Sequence, residues 1–240
     1  MSKDRNLNEG PVWRALVATS APMTLGILGV LSVGLADAFF LARSGEEALA
    51  AISFIFPVTA ALTSLSIGMA AGTNTVVSQA IGEGSGDAER YRMTLHAMAL
   101  AALLASAVAV LFYVTAPYIF AAMGAKDQVL AAAVSYTPYW CLGFPFLVTG
   151  MSLNAVFRAA GRAGVAATVM VVQSVANIAM NPIFIFGWAI IPEMGVEGAG
   201  AATGLARTLG FLAVFGFALY AGILRFNCSP WRNVLASFKA

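Results

Sequence analysis

Charged residues are scarce in this chain of 240 residues, making up only 10% of the total. A soluble domain carries about 25% charged residues, whereas 60% of this chain is hydrophobic, so its composition indicates a membrane protein. With two cysteines and one histidine, the chain has no pattern typical of a disulfide framework or a metal site. It has no basic run interleaved with aromatic residues, so we expect neither a bound metal nor a nucleic-acid partner.

Long apolar runs and short polar breaks alternate along the chain. Each run exceeds the roughly 20 residues that a helix needs to cross a bilayer. The first is too long for the apolar core of a cleavable signal peptide, so we interpret it as a retained span. The sequence predicts an all-α, polytopic bundle of six transmembrane helices within residues 1–224, followed by a polar segment at 225–240. The runs are Ala15–Ala42, Ala48–Ile81, Thr94–Met123, Val129–Phe157, Val165–Trp188 and Val196–Leu224.

Basic residues are distributed unevenly between alternate loops. Two lie in the loops on one side, Arg43 and Lys126. Because positive charge concentrates in cytoplasmic loops, the opposite side is predicted to be cytoplasmic and to hold both termini. The protein is expected to be a multi-pass protein of the cell (inner) membrane. The basic residues on the predicted cytoplasmic side are Lys3, Arg5, Arg14, Arg90, Arg92, Arg158, Arg162, Arg225, Arg232 and Lys239.

Asp37 is the one ionisable residue within the first apolar run, Ala15–Ala42. A charged side chain in the middle of a membrane helix costs roughly 2.5 kcal/mol or more on insertion scales. Such residues usually serve a function, so Asp37 is the leading candidate for a site that binds a cation or a proton.

Four further polar residues are predicted to lie near the depth of Asp37, in the outer half of the membrane: Asn177, Asn181, Thr203 and Tyr136. Asn177 and Asn181 are four residues apart and therefore share a helix face. Carboxylate, amide and hydroxyl oxygens suit a cation such as Na⁺, whereas proton coupling needs only the carboxyl group. The alternative is that these side chains only hold helices together by hydrogen bonds.

Two more residues in the spans are candidates for function. Pro22 lies in the same run as Asp37 and removes a backbone donor, so it is predicted to let that helix bend. Arg207 is a second charge inside a span. It could pair with Asp37, line a cavity or bond to backbone carbonyls, and the sequence leaves these alternatives open.

Glycines four residues apart occur twice, at Gly68 with Gly72 and at Gly200 with Gly204. This spacing allows helix backbones to approach closely. We expect both pairs to pack within one bundle.

Several segments resemble the multidrug and toxic compound extrusion (MATE) family of efflux transporters. The resemblance extends over nearly the whole chain, and its motifs occur in the family's order. The segments are "GLADAFFLARSGEEALAAISFIFPV", "SIGMAAGTNTVVSQAIGEGSGDAER", "NAVFRAAGRAGVA", "NIAMNPIFIFG" and "GVEGAGAATGLART".

The resemblance implies twelve helices in two lobes around a cleft, with a drug or organic cation exported by alternating access in exchange for H⁺ or Na⁺. It implies no cofactor beyond this coupling ion. Asp37 matches the family's coupling acid on the first helix, and Asn177 matches an Asn on the fifth. Asn181 stands where some members have a second acid, while Thr203 and Tyr136 match hydroxyls on the sixth and fourth helices.

With six spans, the chain resembles the N-terminal lobe, residues 225–240 being the cytoplasmic linker between lobes. We expect a truncated chain whose partners are the bilayer, a small amphipathic or cationic substrate, and a missing C-terminal lobe or a second copy. Alternatives are a flippase for lipid-linked oligosaccharides, which should have a more cationic cavity, and a half-transporter subunit. An intramembrane enzyme is not expected, because Asp37 has no second membrane acid beside it.

Overall fold

The structure is a computed structural model that describes residues 12–84, 86–188 and 191–224; the predicted linker at 225–240 lies outside these ranges. It confirms the predicted all-α bundle, because the described residues form six helices long and apolar enough to cross a membrane. The helices are α1 (Val12–Ser44), α2 (Glu46–Gly82), α3 (Asp87–Ala122), α4 (Asp127–Ala159), α5 (Ala163–Ile185) and α6 (Gly195–Tyr220).

The largest difference from the predicted spans is at the start of α3, which begins at Asp87 rather than near Thr94. Its polar first turns are held by two ion pairs, Arg90–Asp87 at 3.7 Å and Arg92–Glu89 at 3.1 Å. Acidic residues also favour the positive end of the helix dipole. The apolar pattern therefore marks the membrane part of α3, and charge pairing extends the helix beyond it.

Helix α4 is the centre of the bundle and packs against α2, α3 and α6. In its most apolar window 72% of the residues are buried, against 11% for α1. Trp140 anchors this core: its ring stacks on Phe144 at 4.8 Å between centroids and meets the edge of Phe112 at 5.7 Å. These ring contacts hold α4 against α3.

A glycine seam joins α4 to α6. A Cβ atom added to Gly143 would lie 2.6 Å from the Cα of Gly204, and one added to Gly204 would lie 2.6 Å from the carbonyl oxygen of Tyr139. A Cβ on Gly200 would lie 3.1 Å from the ring of Tyr136. The prediction that Gly200 and Gly204 pack within the bundle is therefore confirmed.

The other glycine pair does not pack as predicted. A Cβ added to Gly68 or Gly72 would meet no described atom within 4 Å. Both residues instead line a cleft of about 260 Å³ between α2 and α3. The spacing permits close approach of a helix, but α3 does not make contact at these two glycines and leaves the cleft between the helices.

Helix α1 lies on the outside of the bundle and contacts mainly α5. Cβ atoms added to Gly26 and Gly29 would lie 3.3 Å from Met170 Sδ and 3.2 Å from Ser174 Oγ, so side-chain atoms rather than backbone limit this contact. The opposite face is apolar and exposed, as at Leu35. Such a face is typical of a helix covered by lipid or by another membrane segment.

Candidate functional site

The carboxylate of Asp37 reaches from α1 to α5. Asn181 donates a hydrogen bond from Nδ2 to Asp37 Oδ1 at 2.5 Å, and Asn181 itself is fully buried. The bond links residues that are far apart in the sequence and crosses the contact between α1 and α5. Asp37 is therefore joined to the bundle through an amide rather than through a basic residue.

A second pair of polar side chains links α5 to α6. Asn177 donates from Nδ2 to Thr203 Oγ1 at 3.3 Å, and both residues are buried. Tyr136 on α4 is buried beside Thr203, within hydrogen-bonding reach of it.

The structure thus brings together the five residues that the sequence predicted at one depth. Each lies within nine residues of its helix end on the same side of the bundle. We call these residues the acid cluster; their role in coupling stays a prediction. The acid cluster consists of Asp37, Asn177, Asn181, Thr203 and Tyr136.

Asn181 suits a carboxyl group that changes its protonation state. Its amide nitrogen donates to the carboxylate, and its Oδ1 is buried without a hydrogen-bond partner. Rotation of the amide would turn this oxygen towards a protonated Asp37, which needs an acceptor rather than a donor. An amide can therefore satisfy either form of the acid without changing its own protonation state.

Arg207 lies deeper in the bundle than Thr203. Its guanidinium lies over the Trp140 ring, 4.9 Å from the centroid. No carboxylate among the described residues lies within ion-pairing distance of Arg207, although Asp37 and Tyr136 are close enough to interact with it electrostatically. Of the alternatives that the sequence left open, the structure favours a cavity-lining arginine.

The cavity that Arg207 lines has a volume of about 640 Å³ and lies between α1, α2, α4, α5 and α6; we call it the central cavity. Most of its wall is apolar, including Met23, Phe146 and Phe211. Asn177 and Thr203 also line it, whereas Asp37 does not. Asn177 and Thr203 therefore belong both to the acid cluster and to the wall of the central cavity.

The sequence analysis missed several polar residues of the central cavity, of which Arg158 carries a charge. Arg158 was assigned to a loop, but it lies in the last turn of α4 and lines the cavity together with Asn154. They are four residues apart and so share a helix face. Gly150, Asn154 and Arg158 follow one another at intervals of four residues. This pattern in the sequence could have identified Asn154 and Arg158 as residues of one cavity-facing side of α4.

A bundle of membrane-length helices around a largely apolar cavity is the architecture of a membrane transporter lobe. The MatE family model matches residues 22–183. The chain therefore belongs to the MATE family, as the motifs predicted.

Similar proteins span about twice the length of this chain. It is 36% identical over 203 residues to the FAD transporter of Shewanella oneidensis, a match that covers 84% of this chain and 44% of that protein. It is 29% identical over 201 residues to the probable multidrug resistance protein NorM of Bradyrhizobium diazoefficiens, with 84% and 43% covered.

Solved structures of the family share the fold. The crystal structure of the Vibrio cholerae MATE transporter VcmN in the bent form superimposes with a TM-score of 0.83 at 25% identity. The match covers 93% of this chain and 50% of that chain. A MOP superfamily transporter from Pyrococcus furiosus gives a TM-score of 0.84 at 27% identity, with 99% and 52% covered.

Proposed function

We propose that this chain forms one lobe of an exporter that moves small organic molecules out of the cell by alternating access, in exchange for H⁺ or Na⁺. Membership of a family of transporters supports export, and a cavity of about 640 Å³ falls within the range typical of small-molecule sites. The second lobe would come from a C-terminal half or from a second copy. Both termini of this lobe would be cytoplasmic.

The observation that carries the proposal is the hydrogen bond between Asp37 and Asn181. It is the direct polar link between the helix that bears the acid and α5, and its geometry depends on whether Asp37 is ionised. Binding of a proton or Na⁺ to Asp37 would change this bond and loosen or shift α1 against α5. The neighbouring pair of Asn177 and Thr203 would pass the change to the central cavity.

Pro22 would give α1 the freedom to respond. It lies inside α1, where it removes one backbone hydrogen bond and weakens the helix at that turn. The existence of a bent form of VcmN supports bending as a motion of this fold.

The choice of coupling ion depends on the oxygens around Asp37. A proton needs the carboxylate alone, whereas Na⁺ needs several oxygen ligands. Asn177 Oδ1 and Asn181 Oδ1 are both buried without partners and are candidates for such ligands. Imposing a pH gradient or a Na⁺ gradient separately on proteoliposomes distinguishes the two ions.

The test is Asp37→Asn in the transporter that contains this chain. The change keeps the size of the side chain but removes the charge and the proton site, so we expect export driven by either gradient to fall to background. Asp87→Asn, a neutralised acid at the exposed start of α3, is the matched control and should export at the wild-type rate. Gradient-driven export by Asp37→Asn at the wild-type rate would rule out Asp37 as the coupling acid.

The relatives suggest two classes of substrate. The multidrug names of the relatives at 25–29% identity favour drugs, among which the family resemblance implies organic cations. The FAD transporter, at 36% identity, favours a flavin dinucleotide. Measuring export of a cationic dye with and without FAD separates these candidates. Inhibition by FAD means that FAD and the dye share one transport path, whereas unchanged dye export means that FAD does not use the path of the dye.

A further inference from the structure

The central cavity carries positive charge but no negative charge. Arg158 and Arg207 line it, and none of the described residues in its wall is Asp or Glu. An organic cation placed here would face two like charges. Asp37 interacts with Arg207 electrostatically, but it does not line the cavity and is hydrogen-bonded to Asn181. Electrostatics in this largely apolar space therefore favour an anion.

Arg207 is held in a geometry that suits a phosphate. The face of its guanidinium is supported by Trp140, which is 1% exposed and is itself stacked on Phe144. Nη1 of Arg207 is buried without a hydrogen-bond partner. A planar guanidinium with free donors binds carboxylates and phosphates through two parallel hydrogen bonds.

Two buried amides in the cavity wall lack partners as well. Asn154 is 6% exposed and Asn177 is 3% exposed, and the Oδ1 atom of each has no hydrogen-bond partner. Buried polar atoms are usually satisfied. These amide oxygens are acceptors, so they would pair with hydroxyl or N–H donors of a ligand and not with its phosphate.

The two arginines lie at different depths. Gly143 of α4 is level with Gly204 of α6, and Gly150 with Phe211, so the two helices run in parallel and in register. On this register Arg158 lies about twelve residues beyond Arg207, or roughly 18 Å at the helical rise. Arg158 would meet an anion at the predicted cytoplasmic mouth, and Arg207 would hold it deep in the cavity.

The apolar part of the wall suits a flat ring. Met23, Met151 and Met170 provide flexible, polarisable surface, and Phe146 and Phe211 lie side by side with ring centroids 5.6 Å apart. These groups are separate from the arginines and favour a ligand with an apolar, flat body as well as an anionic group.

We propose that the central cavity binds an aromatic phosphate ester of the nucleotide class, with Arg207 contacting the phosphate. This inference rests on the proposed function, because it names the substrate class of the same cavity. It departs from the organic cations that the family resemblance implied. It also supports the flippase alternative, for which a more cationic cavity is expected.

The experiment measures binding of flavin mononucleotide and riboflavin to the purified transporter that contains this chain, in neutral detergent, by quenching of flavin fluorescence. These probes share a ring system and differ by one phosphate. We expect flavin mononucleotide to bind at least tenfold more tightly. Arg207→Gln should bring its affinity down to that of riboflavin without changing riboflavin binding, and Arg158→Gln should reduce the preference in part.

Arg43→Gln is the matched control, because it removes the same charge from an exposed part of α1 outside the cavity. It should leave the ratio of affinities unchanged. Equal binding of the two flavins by the wild-type chain would overturn the proposal, as would a preference that survives in Arg207→Gln. Displacement of flavin mononucleotide by phosphatidylglycerol at lower concentration than by AMP would also overturn it, in favour of a lipid headgroup.

Failure of this inference can be told apart from failure of the proposed function. Binding is measured without a gradient, so Asp37→Asn should keep the preference for the phosphate while losing gradient-driven export. A chain that prefers neither flavin but still requires Asp37 for export would retain the proposed function and lose the substrate class.

Discussion

The α4–α6 contact and the α1–α5 contact differ in the kind of atoms that limit how closely the two helices approach. Between α4 and α6, backbone lies against backbone at Gly143, Gly204 and the Tyr139 carbonyl. Between α1 and α5, the nearest atoms to Gly26 and Gly29 belong to the side chains of Met170 and Ser174. The first contact leaves no room for adjustment, whereas the second can adapt by small side-chain movements.

The two contacts therefore have different roles within the lobe, one holding residues in place and the other allowing movement. Helices in lipid associate through packing and interhelical hydrogen bonds, because lipid itself is apolar. The α4–α6 seam therefore fixes Tyr136, Thr203 and Arg207 relative to one another. Helix α1, held more loosely, carries Asp37, the group whose state is proposed to change.

The largest effect is expected from Gly204→Ala. The added methyl group would lie 2.6 Å from the Tyr139 carbonyl oxygen, so α4 and α6 must separate. Overpacking of this kind costs about 1–3 kcal/mol or more. The change should clearly lower the midpoint of thermal unfolding in detergent.

Gly216→Ala is the control for this change, because it lies on the same helix and its added methyl group meets no described atom within 4 Å. It should leave the midpoint unchanged or raise it, since Ala favours helix over Gly by about 1 kcal/mol. Equal midpoints for Gly204→Ala and the wild type would contradict a rigid seam.

An intermediate effect, on transport rather than on stability, is expected from Pro22→Ala. Ala supplies the backbone donor that Pro22 lacks and stiffens α1, so the unfolding midpoint should hold or rise while gradient-driven export falls several-fold. Pro117→Ala in α3, a helix that contributes nothing to the acid cluster, should export normally. Normal export by Pro22→Ala would show that α1 does not need to bend at this turn.

The smallest effect is expected from Gly29→Ala. Its methyl group would lie 3.2 Å from Ser174 Oγ, so a shift of a few tenths of an ångström relieves the contact while Ser174 keeps its hydrogen bond to the Met170 carbonyl. The gain in helix propensity of about 1 kcal/mol should offset the crowding, so the unfolding midpoint should shift little. A loss as large as that of Gly204→Ala would mean that the α1–α5 contact is as rigid as the seam.

The six spans and the position of Asp37 could be predicted because they depend on local properties, namely apolar length and an isolated charge. Depth alone also grouped Asn177, Asn181, Thr203 and Tyr136 with Asp37. The pairing within the group could not be predicted, since Asn177 and Asn181 share a face and either could have met the acid. The structure pairs Asp37 with Asn181 and Thr203 with Asn177.

Features that depend on which helices are neighbours could not be predicted from the sequence. Gly68 with Gly72 and Gly200 with Gly204 have the same spacing, yet only the second pair meets another helix. Arg158 faces the central cavity, which is the open side of the otherwise surrounded helix α4. Because α4 is apolar on nearly all sides, its sequence does not indicate which side borders a cavity. The contact of Arg207 with Trp140 joins helices that are distant in sequence.

The amide at Asn181 leaves one carboxylate in the acid cluster, so the proposed coupling would carry one elementary charge per cycle. At 100 mV that charge is worth about 2.3 kcal/mol, to which a pH or Na⁺ gradient would add. That amount concentrates a neutral solute by roughly fifty-fold across the membrane, since every 1.4 kcal/mol is a factor of ten. A phosphate ester faces a lower demand, because a negatively charged molecule leaving a cell that is negative inside moves with the field.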